Sequence, residues 1–486
     1  MKCDEAKPAC ARCTTTGRKC DGYAATINPF QRQIVRSAES PSKALTFNIA
    51  YDALEQRSFE FFRLRTSQCM AGHFQDAVWQ RIVLQACQVE PAVRYAVNAV
   101  GAFHEERCLR ESAFHDGIEV NLVQTNFPAR QYSKALTGLQ RLLSSENAST
   151  NMVLLCALLL IHFESLRERF IPVLTHLDNA LRLLDPAQAP SKETIDPSLV
   201  QTFVRLDLQS SFFIDVRVPS LTFITSAIDN ELPNSFADIN QARRFSISWT
   251  SRLFKFLRAK ADKYKFVSPG FIPLEDLAEA QHLEQMFTSI ERLLWSFMQN
   301  SNAKLTFREH HGLSMLRVLA IEDRVIAACC LYSEASCYDQ YIPEFEQIVS
   351  ICRFVLDAED PANRLMSVAV DDGLLRPLWF VVTHCRDSRV RRNALALLKQ
   401  LPASSSAWHV DAMTKAAELC MTIEETGCTK ERPQCEDIPE WRRIHGSGFD
   451  AWILAAPSRR EVMARLRTRP NGMDGEWMDL EVPLEW

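Results

Sequence analysis

Apolar residues recur every three to four positions from about residue 49 onward, which is the spacing of the buried face of an α-helix. The clearest runs lie within residues 78–87, 93–103, 132–143 and 173–184. Pro91 stands just before the second run, where proline suits the first turn of a helix. Further helices are predicted near residues 244–263, 275–299, 312–336, 344–357, 377–385 and 389–401. The pattern predicts an all-α body of amphipathic helices joined by short connections.

One apolar run, residues 152–161, is continuous rather than periodic. It ends at His162 and is about half the length that a bilayer-spanning helix needs. We therefore expect a buried helix and no membrane partner. A secretory leader is not expected either, since no charged and then apolar segment opens the sequence.

Composition supports a helical and non-enzymatic protein. The chain has 486 residues, 47% of them apolar and only 14 of them glycine, so its composition favours helix. Neither a phosphate loop nor a dinucleotide fingerprint is found in the sequence. His104 and His162 sit beside apolar helix faces and are predicted to be core histidines. The pair His310–His311 lacks the spacing of a zinc hydrolase, and no nucleophile motif is found. We predict that the protein is not an enzyme.

The chain divides into four segments by composition. Residues 1–23 are dense in cysteine, lysine and arginine and have almost no apolar content, residues 24–46 have the proline and small polar residues of a linker, and residues 47–432 carry the helical pattern. Residues 433–486 are rich in proline, tryptophan and acids. We expect this last segment to pack on the body, because two exposed tryptophans would be costly in water, while an acidic activation segment is the alternative.

A cluster of arginines precedes and opens the helix predicted at residues 389–401. We interpret these residues as a solvated helix start paired with nearby acids, and a nuclear-import patch is the alternative. They are Arg386, Arg389, Arg391 and Arg392.

The cysteines of the first segment have the spacing of a metal site. Cys10 and Cys13 are separated by two residues, so both thiolates can reach one metal ion, and Cys3 and Cys20 each lie six residues outside that pair. A segment without an apolar core needs such a metal to hold a fold. Zn²⁺ is the expected ion. The segment also holds five basic residues against three acidic ones, and the basic ones are Lys2, Lys7, Arg12, Arg18 and Lys19.

The string KCDEAKPACARCTTTGRKCDGY resembles the second two-thirds of the fungal six-cysteine binuclear zinc cluster. In that family six thiolates hold two zinc ions. The resemblance places Cys3 at the third cysteine of the family's pattern, Cys10 at the fourth, bridging one, Cys13 at the fifth and Cys20 at the sixth. The first two cysteines have no counterpart here, so the cluster is expected to be truncated at its N-terminal side and to close one tetrahedral site instead of two.

The helical body is similar, in three stretches, to the regulatory domain that follows the linker in the same family. The stretches are residues 61–106, 154–184 and 376–401. The resemblance implies a nuclear transcription factor that binds double-stranded DNA and contacts co-regulators or the transcription machinery. The missing part of the cluster carries the family's base-reading residues, so DNA binding is expected to be weakened.

Two further expectations depend on this resemblance. The alternative function is a helical interaction or scaffold protein that derives from such a factor and does not bind DNA. The sequence does not decide whether the protein forms a homodimer, since family members often pair through a coiled coil but residues 24–46 show no heptads. The net charge of −5 also confines any DNA contact to a local basic segment.

Overall fold

The protein is described by a computed structural model with side chains. The residues that it describes are 52–74, 76–115, 126–145, 148–185, 193–214, 217–221, 231–266, 271–301, 305–358, 373–401, 410–448, 461–472 and 475–486. Residues 51–486 form one compact unit.

The predicted all-α class is confirmed. The α-helices of the described residues are α1 (Ala53–Phe61), α2 (Ser67–Met70), α3 (Val83–Val89), α4 (Pro91–His115), α5 (Phe127–Leu143), α6 (Thr150–Leu166), α7 (Phe170–Leu184), α8 (Pro197–Phe213), α9 (Ile239–Ala259), α10 (Leu274–Ser301), α11 (Phe307–Cys329), α12 (Ile342–Ala358), α13 (Leu375–His384), α14 (Ser388–Leu398) and α15 (Val410–Glu425). Short π-helical turns at Phe62–Thr66 and Val78–Ile82 lead into α2 and α3, and a 3₁₀ helix at Ala335–Tyr341 leads into α12.

The N-terminal half of this unit is built around α6. Thirteen residues of α6 are buried, including the whole stretch 153–161, which confirms the buried-helix prediction. Helices α4, α5 and α7 pack around it. None of the helices within the described ranges combines the length and apolarity needed to cross a bilayer. The apolar run is continuous because α6 is surrounded by other helices and is buried on all sides.

Close approach between helices fixes part of this packing. A Cβ atom added to Gly101 of α4 would lie 2.3 Å from the carbonyl oxygen of Ser58 in α1. A Cβ added to Gly138 of α5 would lie 2.7 Å from the Cβ of Ala92 in α4. Glycine is required at both positions because any side chain would push the two helices apart.

The C-terminal half has two further apolar clusters. One is formed mainly by α9, α10 and α11, and the other by α11 to α15 together with the C-terminal end of the chain. Helix α11 contributes to both clusters. It begins earlier than predicted because Thr306 and Glu309 form a capping box, and it ends at Cys329 instead of continuing to residue 336.

The C-terminal segment, for which the sequence pattern predicts packing on the body but no type of element, contains a three-stranded antiparallel sheet. Its strands are β1 (Gly446–Gly448), β2 (Glu461–Thr468) and β3 (Met478–Glu485), in the order β1-β2-β3. Ala464, Leu466 and Leu484 face the helices and are buried. The sequence signal for β3 is the alternation of acids with Leu480, Val482 and Leu484, a period of two that is typical of a strand.

Candidate functional site

The metal and DNA-binding residues predicted from the sequence lie outside the described residues. The structure therefore places none of them, and their roles remain predictions. They are Cys3, Cys10, Cys13, Cys20, Lys2, Lys7, Arg12, Arg18 and Lys19.

Within the described part of the chain, no three His, Cys, Asp or Glu side chains gather in a way that could hold a metal ion. The cysteines there, from Cys69 to Cys435, are not joined in disulfides. The histidines predicted to lie in the core do so. His104 is buried and bonds Thr66 through Nδ1 at 2.9 Å, and His162 is buried against the Trp79 ring at 4.6 Å between centroids.

The most distinctive polar feature of the body is a buried group of charges that joins α13, α14, α15 and the C-terminal segment. We call it the C-terminal junction, and it consists of Arg386, Arg391, Glu424 and Ile444. Arg386 donates to one oxygen of Glu424 at 2.7 Å and Arg391 to the other at 2.5 Å. The backbone N–H of Ile444 donates to the same carboxylate at 2.7 Å. The side chains of the three charged residues are at most 1% exposed.

Both arginines also satisfy backbone carbonyls at helix ends. Arg386 donates to the carbonyl of His384 at 2.6 Å, and Arg391 donates to that of Val382 at 2.6 Å. Burial alone would raise the pKa of Glu424, but the two arginines more than offset it and lower the pKa to about 2. The Glu424 carboxylate is therefore ionised at every physiological pH, and the junction is a permanent structural link.

A second layer of polar contacts secures the segment that leads into the sheet. Arg443 pairs with both oxygens of Asp339 at 2.7 and 2.8 Å, which ties it to the 3₁₀ helix Ala335–Tyr341. Glu440 accepts hydrogen bonds from the backbone of Ala335 and Ser336 and from Nε2 of His445 at 2.6 Å. Residues 435–445 are thus held to the helices by several charge-assisted bonds.

A separate buried group, the central junction, joins α9, α11 and α13. Arg376 donates to Glu322 at 3.1 Å and also pairs with Asp323, whose other oxygen accepts from Thr250 at 2.6 Å. The Arg376 guanidinium lies 5.0 Å from the ring centroids of both Phe212 and Phe254. Burial raises the pKa of Asp323, against the lowering effect of Arg376. The central junction therefore places charge where the apolar clusters of the C-terminal half meet.

The prediction of a solvated arginine cluster is wrong for two of its four members. Arg386 and Arg391 are buried in the C-terminal junction, whereas Arg389 is 60% exposed and Arg392 is 40% exposed. The sequence contains a signal that would have found Arg391. It precedes Ala394, Leu395 and Leu398 by three, four and seven positions, so it lies on the apolar face of α14.

Neither junction supplies a catalytic arrangement. Their carboxylates and arginines are engaged with each other or with backbone groups, and such groups fix the relative position of helices rather than act on a substrate.

Comparison with known proteins places this body among regulators of transcription. Residues 59–311 match the family described as fungal specific transcription factor domain. The chain is 27% identical over 322 residues to the aspercryptin biosynthesis cluster-specific transcription regulator atnN of Emericella nidulans, covering 60% of this chain and 48% of the relative. It is also 27% identical over 236 residues to the transcription regulator lscL of Purpureocillium lilacinum, covering 44% of this chain and 54% of the relative.

The chain spans about half the length of the curated relatives that it matches. No solved structure shows a significant match.

Proposed function

Because the chain belongs to the family of fungal-specific transcription factor domains, we propose that it is a nuclear regulator of transcription that binds double-stranded DNA through its N-terminal cysteine segment. The family match over residues 59–311 is the observation that carries this proposal. The two relatives, both named as transcription regulators, support the same class of function. The helical body would then receive regulatory input and contact co-regulators.

The proposed cofactor is Zn²⁺, held by Cys3, Cys10, Cys13 and Cys20. Four thiolates are a complete ligand set for one tetrahedral structural zinc, so the donor chemistry fits a single ion. When bound, the ion would fold a segment that has no hydrophobic core of its own. The chain's own contribution to DNA binding would come from the five basic residues of the segment, which would contact phosphates.

The name of one relative suggests that the protein controls a small set of target genes. The Emericella nidulans protein is named as specific to one biosynthesis cluster. We infer that this chain also controls a small group of co-regulated genes, and the genes next to its own are the first to measure.

Zinc binding can be tested on the full chain. Native mass spectrometry should show one zinc ion per chain, and the double variant Cys10→Ser/Cys13→Ser should show none. Cys428→Ser is the matched control, because Cys428 is a half-buried thiol of the body, and it should keep the zinc. Equal zinc content in the wild type and the double variant would refute the proposed site.

DNA binding can be tested by selection from a pool of random duplexes, followed by chromatin immunoprecipitation of the full chain. Enriched sites that are lost in the Cys10→Ser/Cys13→Ser variant would support the proposal. Neutralising Arg12 and Arg18 should reduce the slope of log affinity against log salt by about 0.9 for each phosphate contact that is lost. A chain that binds zinc, enriches no DNA and still alters reporter expression would instead be the scaffold protein.

A further inference from the structure

Two cysteines lie together where α11 ends and the following 3₁₀ helix begins. Cys329 is the last residue of α11, and Cys337 lies in the helix Ala335–Tyr341. The Cys329 sulfur is 3.7 Å from the carbonyl oxygen of Cys337. A hydrogen bond with the Cys337 side chain, followed by burial, raises the pKa of the Cys329 thiol.

The two thiols differ in their access to solvent. Cys329 is 2% exposed and belongs to the apolar cluster of α11 to α15, whereas Cys337 is half-buried at the edge of that cluster. Cys329 stays protonated at neutral pH. Cys337 is therefore the thiol that a small solute reaches first, and Cys329 lies deeper in the apolar cluster.

We propose that Cys329 and Cys337 form a reversible disulfide when the protein meets a hydroperoxide. Cys337 would attack one oxygen of hydrogen peroxide, which forms a sulfenic acid on Cys337 and releases one water. The Cys329 sulfur then attacks the Cys337 sulfur while its proton passes to the departing sulfenic oxygen, so the S–S bond forms and the oxygen leaves as a second water. The two thiols lose two electrons and two protons in total, and the peroxide accepts them.

The disulfide would change how the C-terminal segment is held. A disulfide needs the two sulfurs about 2.05 Å apart, so bond formation would draw Cys337 toward α11. Its neighbours Ser336 and Asp339 bond Glu440 and Arg443 in the segment that leads into the sheet. A displacement of the 3₁₀ helix by even 1 Å or so lengthens these bonds beyond their normal range. Oxidation therefore loosens residues 435–445 from the helices.

The test uses the full chain treated with hydrogen peroxide, alkylated and digested with trypsin and a glutamate-specific protease. Cleavage after Glu334 separates the peptide that holds Cys329 and Cys330 from the one that holds Cys337. We expect the two peptides to be linked in the oxidised wild type and separate after dithiothreitol. Cys337→Ser and Cys329→Ser should each abolish the link, and the matched control Cys330→Ser should keep it.

The conformational consequence is read by hydrogen–deuterium exchange. Exchange of peptides covering residues 435–445 should rise on oxidation, return on reduction and stay unchanged in Cys337→Ser. Unlinked peptides in the oxidised wild type, or a link that survives in Cys329→Ser, would overturn the assignment of the pair. A link without altered exchange would overturn its coupling to the C-terminal segment. The readout is local to the body, so its failure would leave zinc and DNA binding untouched.

Discussion

Replacing Glu424 by glutamine tests whether the C-terminal junction holds the last part of the chain in place. The carboxylate accepts from Arg386, Arg391 and the N–H of Ile444 at 2.5 to 2.7 Å. Glu424→Gln keeps the size of the side chain but removes the charge that pairs with two buried guanidinium groups; Glu425 lies 4.0 Å from Arg391. Breaking a buried ion pair by removing one partner typically costs about 3 to 5 kcal/mol.

An independent figure comes from the ionisation of the carboxylate. The pKa of Glu424 falls from 4.5 to about 2 on folding. Since one pKa unit corresponds to about 1.4 kcal/mol, the charge contributes about 3 kcal/mol at neutral pH. For a carboxyl with a depressed pKa, this contribution is complete above the unfolded value and is lost as the pH falls from about 4.5 to about 2.

The assay is urea unfolding at a series of pH values, with Glu418→Gln as the matched control. Glu418 lies on the same helix and pairs with Lys399 and Lys415 at the surface, where its side chain is 30% exposed. The control should lose at most about 1 kcal/mol, as is usual for surface pairs. Hydrogen exchange of residues 435–448 should rise in Glu424→Gln and not in the control.

Two results would refute this reasoning. The first is a loss in Glu424→Gln no larger than that of the control. The second is a gap between wild type and Glu424→Gln that stays constant below pH 4.5, because the gap should close as the wild-type carboxyl becomes protonated.

Three further predictions concern the helical body. Glu168 follows α6 in the left-handed region with φ 56°, so Glu168→Gly should raise the free energy of unfolding by about 1 kcal/mol, and a decrease in urea midpoint would contradict this. Gly101→Ala should lower the thermal midpoint and cost about 1 to 3 kcal/mol, because its Cβ would lie 2.3 Å from the Ser58 oxygen. Burial lowers the pKa of His162 and of His384 to about 3, so both are neutral in the folded protein. The stability gained from their neutral form is complete above pH 6.5, and the protein should lose about 2 kcal/mol for each histidine as the pH falls from 6.5 to 5. A thermal midpoint that does not change over this range would show that the two side chains are not buried as described.

Local sequence patterns predicted the helical elements well. The centres of α10, α12, α13 and α14 agree with the apolar spacing, and Pro91 begins α4 as expected. The apolar pattern places the start of α11 too late, because the capping box of Thr306 with Glu309 lies outside that pattern. Helical periodicity and caps depend on residues within a few positions of each other, so they can be read from the chain directly.

The strands of the sheet have a sequence signal that composition alone does not identify. The composition of residues 433–486 predicts a packed segment or an acidic activation segment, whereas the alternation at the end of the chain, with a period of two, favours a strand. Strand β3 pairs with β2, from Glu461 opposite Glu485 to Thr468 opposite Met478, and β3 also packs on α15, which ends more than 50 residues earlier in the sequence.

By itself the sequence determined the helical class, the family resemblance and the cysteine spacing that predicts a zinc site, because each is written in short-range patterns of residue type. Only the tertiary structure decided which charged residues are buried. Arg391 lies on the apolar face of the α14 pattern and Arg386 shows no such signal, but the sequence names the buried partner of neither, because Glu424 lies more than 30 residues later. Burying an arginine is tolerated only where a carboxylate is brought to it, and the partner is supplied by the packing of α13, α14 and α15.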